Sequence, residues 1–232
     1  ADGLLGTIAW VGAPPIPIER TVAYVNLDIQ GANLTPTLAR TSIAVGAETG
    51  GEALSDIVSR AVHDELAGHP RGVETLPVSY IFGQLRSDYA TFVGAGVPTV
   101  FFSDSTGACY HTVRDDARFV DFEKLASQSR IAYRTTTALA EAATPPPFVA
   151  PNPALGTYAD AITLDTIFRR ATPDLKAFPT HVRRDLEDVF AAVRAIVERG
   201  PDTFAADDVG TLLDAALQTL DVLGGNLECA GQ

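Results

Sequence analysis

The chain has 232 residues, 46% of them hydrophobic, and carries a formal net charge of −12. That length and apolar content suffice to bury a core in one or two domains. The acidic balance excludes nucleic acid and anionic membrane surfaces as expected partners, since both require a basic face, and no apolar run approaches the roughly 18 residues that span a bilayer.

The sequence contains no Met, and "ADGLLGTIAW" (1–10) opens as an apolar segment already under way, with no signal-peptide pattern. It reads as a processed or partial chain. "TVAYVNLDI" (21–29) is rich in β-branched and aromatic residues and predicts a buried strand, followed by a shorter one, "TSIAVG" (41–46). Across 50–70, Leu54, Ile57, Val58, Ala61, Val62 and Leu66 fall at helical spacing, and a Gly and a Pro close the segment. "LPVSYIF" (76–82) and "VPTVFF" (97–102) are further strands, separated by "RSDYATFVGAG", a loop running into a short helix. Asp121 is the expected N-cap of an amphipathic helix that runs to about residue 143. Strands alternating with helices predict an α/β fold: a mixed, mostly parallel central sheet, incomplete in this chain and flanked by helices.

"TPPPFVAPNPA" (144–154) holds five prolines, which fit neither a helix interior nor a central strand, so it predicts a stiff extended connector. Three helical segments follow at about 157–171, 180–199 and 207–223, the last ended by Gly224–Gly225. The expected organisation is an α/β part over 1–143, the connector over 144–154 and an all-helical appendage over 155–232. The appendage either packs on the α/β part or serves assembly, and no signal of oligomeric state is legible.

Two strand ends carry the chemistry. Asp28 closes an otherwise apolar strand, at the end of an α/β sheet where ligands bind. A carboxylate there needs hydrogen bonds, a cation or a metal, and accepting N–H bonds in the following turn is the plain alternative. After the strand 97–102, "SDSTGACYHTVRDD" gathers Asp104, Tyr110, His111, Asp115 and Asp116. Histidine is the commonest metal ligand, and a carboxylate often orients its second nitrogen, although a single loop His is more often ordinary surface. Asp88, in "RSDYATF", suits a helix N-cap equally well. His63, His69 and His181 lack partners at metal spacing. No G-x-S-x-G, Cys-x-x-Cys or phosphate-loop motif occurs. Cys109 and Cys229 could form one bridge, which would suit an oxidising compartment, or stay two separate thiols.

Taken in order, "DGLLGT" (2–7), "NLDIQG" (26–31), "RSDYATF" (86–92) and "VPTVFF…YHTVRD" (97–115) resemble segments of the zinc-dependent aminopeptidase family. That family includes secreted bacterial aminopeptidases, glutamate carboxypeptidase II and glutaminyl cyclase. The resemblance covers about residues 1–142, the second half of such a catalytic domain. It implies a metallopeptidase, an aminopeptidase acting on peptides in a secreted or periplasmic setting, with two zinc ions sharing a bridging water. It further implies Asp28 as ligand to one zinc and His111 to the other, Tyr110 as hydrogen-bond donor to the oxyanion, and Asp88 and Asp115 as acids supporting the ligands. Some secreted members carry a second Cys just after the His. Only Cys109 stands here, which leaves a bridge to Cys229 open. The family's paired glutamates, general base and zinc ligand, and its His-x-Asp segment would precede Ala1. The expectation is therefore a site completed by a separate N-terminal segment or chain. Two other readings stand beside it: a non-catalytic binding or assembly member of the same fold, and a glutaminyl cyclase-like enzyme with a single zinc.

Overall fold

The computed structural model describes residues 3–107, 109–152 and 156–226. Four strands form one sheet: β1 (Tyr24–Leu27), β2 (Thr41–Val45), β3 (Glu74–Val78) and β4 (Thr99–Ser103), in the spatial order β1-β4-β2-β3. β1 pairs parallel with β4 and β2 parallel with β3, while β2 and β4 run antiparallel. The sheet is thus mixed and mostly parallel, as the pattern of elements predicts.

Strand alternation sorts the core into two layers. Ala44, Val100 and Phe102 point to one face, where they meet Leu54, Ile57, Val58 and Ala61 of α2 (Gly51–Gly68) and Ile131 and Leu139 of α4 (Phe122–Glu141). Asp121 caps α4 as its sequence predicts, its Oδ1 accepting from the Lys124 N–H at 3.0 Å. The other face, with Val45, Val78 and Phe101, packs on Tyr89 and Val93 of the short α3 (Tyr89–Gly94). Against it also lie three C-terminal helices, α5 (Tyr158–Ala171), α6 (Thr180–Arg199) and α7 (Ala206–Asn226). Of the two roles open to the helical tail, packing on the sheet is the one observed. Phe168 of α5 stacks on Phe190 of α6 at 4.2 Å, and Leu186 and Val193 are fully buried.

Three boundaries differ clearly from the sequence pattern: the first strand spans 24–27, not 21–29, so that Asp28 lies just past its end. The third strand spans 74–78, not 76–82. Pro77 has no N–H for the ladder, and the Ser79 N–H and hydroxyl both turn to Asp160 of α5, at 2.7 Å each. Tyr80–Gly83 then coils as a 3-10 turn. The last helix continues through Gly224–Gly225 to Asn226, since a helical glycine costs only about 1 kcal/mol. The connector crosses the start of α2, where the Val149 N–H donates to Thr49 O at 2.8 Å.

The N-terminal helix α1 (Leu5–Gly12) buries none of its residues. It packs against α3, with Trp10 tilted on Phe92 at 5.3 Å, and leaves Leu5 and Ile8 exposed. Among the described residues no helix is long and apolar enough to cross a membrane.

Candidate active-site cleft

Parallel pairing puts the carboxyl ends of β1 and β4 at the same edge of the sheet, where open α/β sheets bind ligands. The pairing continues past the strands: the Asp28 N–H donates to Phe102 O at 3.3 Å, and the Asp104 N–H to Ile29 O at 2.9 Å. These bonds bring the two strand-end loops side by side. Between them opens a cleft of about 700 Å³ whose lining includes Asp28, Gln30, Tyr110, His111, Asp115 and Arg118. Four of the predicted site residues, Asp28, Tyr110, His111 and Asp115, therefore share one cavity despite sequence separations of up to 87.

Each side chain has a traceable position. Asp28 is half-buried, and its Oδ2 accepts from the Ser87 hydroxyl at 2.8 Å. Ser87 in turn accepts from the Asn26 amide at 2.7 Å. Asn26 lies on β1 and Asp28 just past its end, and Ser87 bridges the two, so a single relay orients the carboxylate. Asp88 does not cap α3 through its side chain; its Oδ1 accepts from the Thr7 hydroxyl of α1. The Tyr24 phenol, also on β1, is pushed above its ordinary range by burial and then by the charges of Asp88 and Asp28. Two carboxylates thus make this corner electronegative, a setting that favours a cation.

On the facing loop, His111 is exposed and stacks on Tyr110, ring centroids 3.8 Å apart. Asp115 is exposed on the same loop, and among the described residues no hydrogen bond joins it to His111. Asp116 caps the short turn 117–119, accepting from the Arg118 N–H at 3.0 Å. Asp104 turns away into a buried ion pair with Lys124 at 3.0 Å. Cys109 is buried, and Cys229, to which a bridge was left open, lies outside the described residues. His63 is exposed, and His69 pairs with Glu65 on α2 at 3.1 Å, away from the cleft.

Backbone strain concentrates here. Among the described residues the non-glycine positions with positive φ are Ile29, Gln84, Leu85, Ser105, Cys109 and His111. All lie in the loops that follow β1, β3 and β4. For a β-branched residue such as Ile29 (φ 58°) this conformation is a true outlier. Such strain persists where surrounding structure over-determines it, characteristically at functional sites. Neither this strain nor the Ser87–Asn26 relay was anticipated from sequence. The i, i+2 placement of Asn26 before Asp28 was the one local signal available for the relay.

The profile of peptidase family M28 matches residues 2–136, more than half of the chain. The chain belongs to peptidase family M28. An aminopeptidase from Aneurinibacillus sp. strain AM-1 is similar among solved structures, at a TM-score of 0.44 and 21% identity over 65% of this chain and 33% of that one. The M28 chain thus spans about a third of that protein's length. No curated protein matches the sequence. Within the M28 match lie the whole sheet, both strand-end loops and Asp28, Ser87, Tyr110 and His111; α5, α6 and α7 lie beyond it.

Proposed function

We propose that this chain forms part of the substrate cleft of a zinc metallopeptidase, an aminopeptidase, with Asp28 and His111 each contributing a metal ligand and Tyr110 a hydrogen bond to the substrate carbonyl. The observation that carries the reading is the convergence of Asp28, Tyr110 and His111 on one cleft at the carboxyl ends of two parallel strands. Donor chemistry supports it, since carboxylate oxygen and imidazole nitrogen both suit zinc. Their number falls short of the three protein ligands of a catalytic zinc. Among the described residues no group of three His, Cys, Asp or Glu is placed to hold a metal. These residues alone do not complete a hydrolytic site. The remaining ligands and the general base are proposed to come from a separate segment or chain.

The test uses the complete protein, measuring zinc content and hydrolysis of amino-acyl anilides before and after Asp28→Ala and His111→Ala. Each substitution is expected to lower zinc affinity by more than the ~10–100-fold that loss of an orienting partner costs, and to lower the rate with it. If both variants keep full metal and full rate, the assignment is wrong. Ser87→Ala removes the hydroxyl that holds Asp28. It is expected to weaken zinc binding about 10–100-fold, read by competition with a chelator, while leaving the fold intact.

A further inference from the structure

On the sheet face turned toward the C-terminal helices, a second cavity of about 90 Å³ lies between β2, α5 and α7. Its walls are mainly apolar, with Ile43, Val78, Leu164, Phe168 and Ala216 facing it. About a third of its lining residues come from α5 and α7, beyond the M28 match. Two observations separate it from ordinary packing space.

The first is its position beside the cleft. A narrower void of about 30 Å³ shares Asp28, Ile29 and Tyr110 with the cleft. It also shares Phe82, Ser103, Ser105 and Leu220 with the 90 Å³ cavity. The cleft, the narrow void and the cavity beneath α7 therefore adjoin one another in series, and Leu220 stands between the last two.

The second is Thr219. This residue is 8% exposed, it lines the cavity, and among the described residues its hydroxyl has no hydrogen-bond partner. A threonine in a helix commonly bonds back to the carbonyl four residues earlier, as Thr211 of the same helix does with Asp207 O at 3.2 Å. Thr219 makes no such bond. The charged groups on the wall are already committed. Asp104 accepts from Lys124, Gln128 and the Ala32 N–H, and Lys124 also donates to the Ala32 and Leu38 carbonyls. A buried hydroxyl left unbonded is unfavourable and calls for an explanation.

We propose that this cavity binds a small branched aliphatic group carrying one hydrogen-bonding atom. The carbon skeleton would lie against Leu164, Phe168 and Ala216, with the polar atom on Thr219 Oγ1. Size sets the class: an apolar protein cavity of ~150 Å³ admits the six heavy atoms of benzene, so about 90 Å³ takes about four, a branched alkyl end with its polar atom, and rejects an aromatic ring, the rest of a longer molecule staying outside. The group can arrive as a free small molecule or as a side chain of a peptide lying in the cleft.

The first arm of the test titrates the full chain, without zinc, with isobutyramide and follows backbone amide resonances. Saturable shifts centred on Ala216, Thr219 and Leu220 are expected, and benzamide should produce none. Ala216→Phe fills the cavity and should abolish the shifts. Thr219→Val keeps the shape without the hydroxyl and should weaken isobutyramide about tenfold while raising the melting temperature. The second arm replaces isobutyramide with the peptide Leu-Gly-Gly: shifts at the same residues identify a peptide side chain as occupant, and their absence a free molecule. The proposal is overturned if neither probe moves these amides, or if Thr219→Val binds isobutyramide as tightly as the unaltered chain. Because the readout is binding, loss of the peptidase reading would leave this result standing, and the reverse also holds.

Discussion

Lys124→Met is expected to cost about 3–5 kcal/mol of folding stability, measured by urea unfolding at neutral pH. The Lys124 and Asp104 side chains are 2% and 1% exposed and lie 3.0 Å apart. Burial pushes the Asp104 carboxyl up and the Lys124 ammonium down, and their mutual attraction opposes both shifts. Removing the lysine leaves a buried carboxylate with two hydrogen-bond donors, Gln128 and the Ala32 N–H, and no cation. The double variant Lys124→Met/Asp104→Asn keeps an acceptor for those donors without the charge, and should recover at least half of the loss. A pH series adds a signed check. With its folded pKa raised, Asp104 in the single variant holds a proton at pH values where the unfolded chain has released it. The deficit of Lys124→Met relative to the unaltered chain should therefore narrow as pH is lowered toward about 4. The consequence reaches the cleft, because this pair grips both the N–H and the carbonyl of Ala32, which lines it.

Glu65→Gln is expected to cost about 2–3 kcal/mol and to flatten the acid limb of the stability profile. Glu65 lies on α2 with its side chain inaccessible, roofed by Arg130 of α4, whose side chain is 38% exposed. It accepts from Arg130 Nε at 2.9 Å and Nη2 at 2.6 Å, and from the Ser127 hydroxyl at 2.8 Å. His69 stands 3.1 Å away. Burial opposes ionisation, but the Arg130 and Ser127 hydrogen bonds and the nearby positive charges outweigh it and hold the carboxyl below its ordinary value. A depressed folded pKa supplies stability that is fully present above the unfolded value of about 4.3 and is lost as pH falls through the folded one. Helices α2 and α4 should accordingly begin to separate below about pH 4 in the unaltered chain, and the variant should show a shallower decline over that window. The loss is smaller than for Lys124→Met because Arg130, left alone, can hydrate.

How much of this was legible beforehand follows from the range of each interaction. The apolar spacing of Leu54, Ile57, Val58, Ala61 and Val62 marks α2 because a helix repeats every 3.6 residues wherever it packs. The Asp121 cap acts across three positions and is equally local. The strand ends at Asp28 and Ser103 could be located from composition, and the order of four short motifs pointed to the family that the M28 match establishes.

The contacts that build the site act over longer separations. Ser87 reaches Asp28 across 59 positions, and Gln128 and Lys124 meet Asp104 only because α4 crosses beneath the β4 end. The early end of β3 depends on Asp160, 81 positions from Ser79. The left-handed turns at Ile29 and His111 oppose local preference, so residue type could not announce them. By itself, then, the sequence determined which segments are helices and strands, that they layer as an α/β fold, and which Asp, Tyr and His stand at strand ends. Only the tertiary structure decided that Asp28, Tyr110 and His111 face one cleft, that Asp104 serves a buried ion pair, and that α7 walls a cavity close to the candidate site. The physical reason is that periodicity and capping are set within a few residues, whereas strand order, burial and paired charges arise only when distant segments pack together.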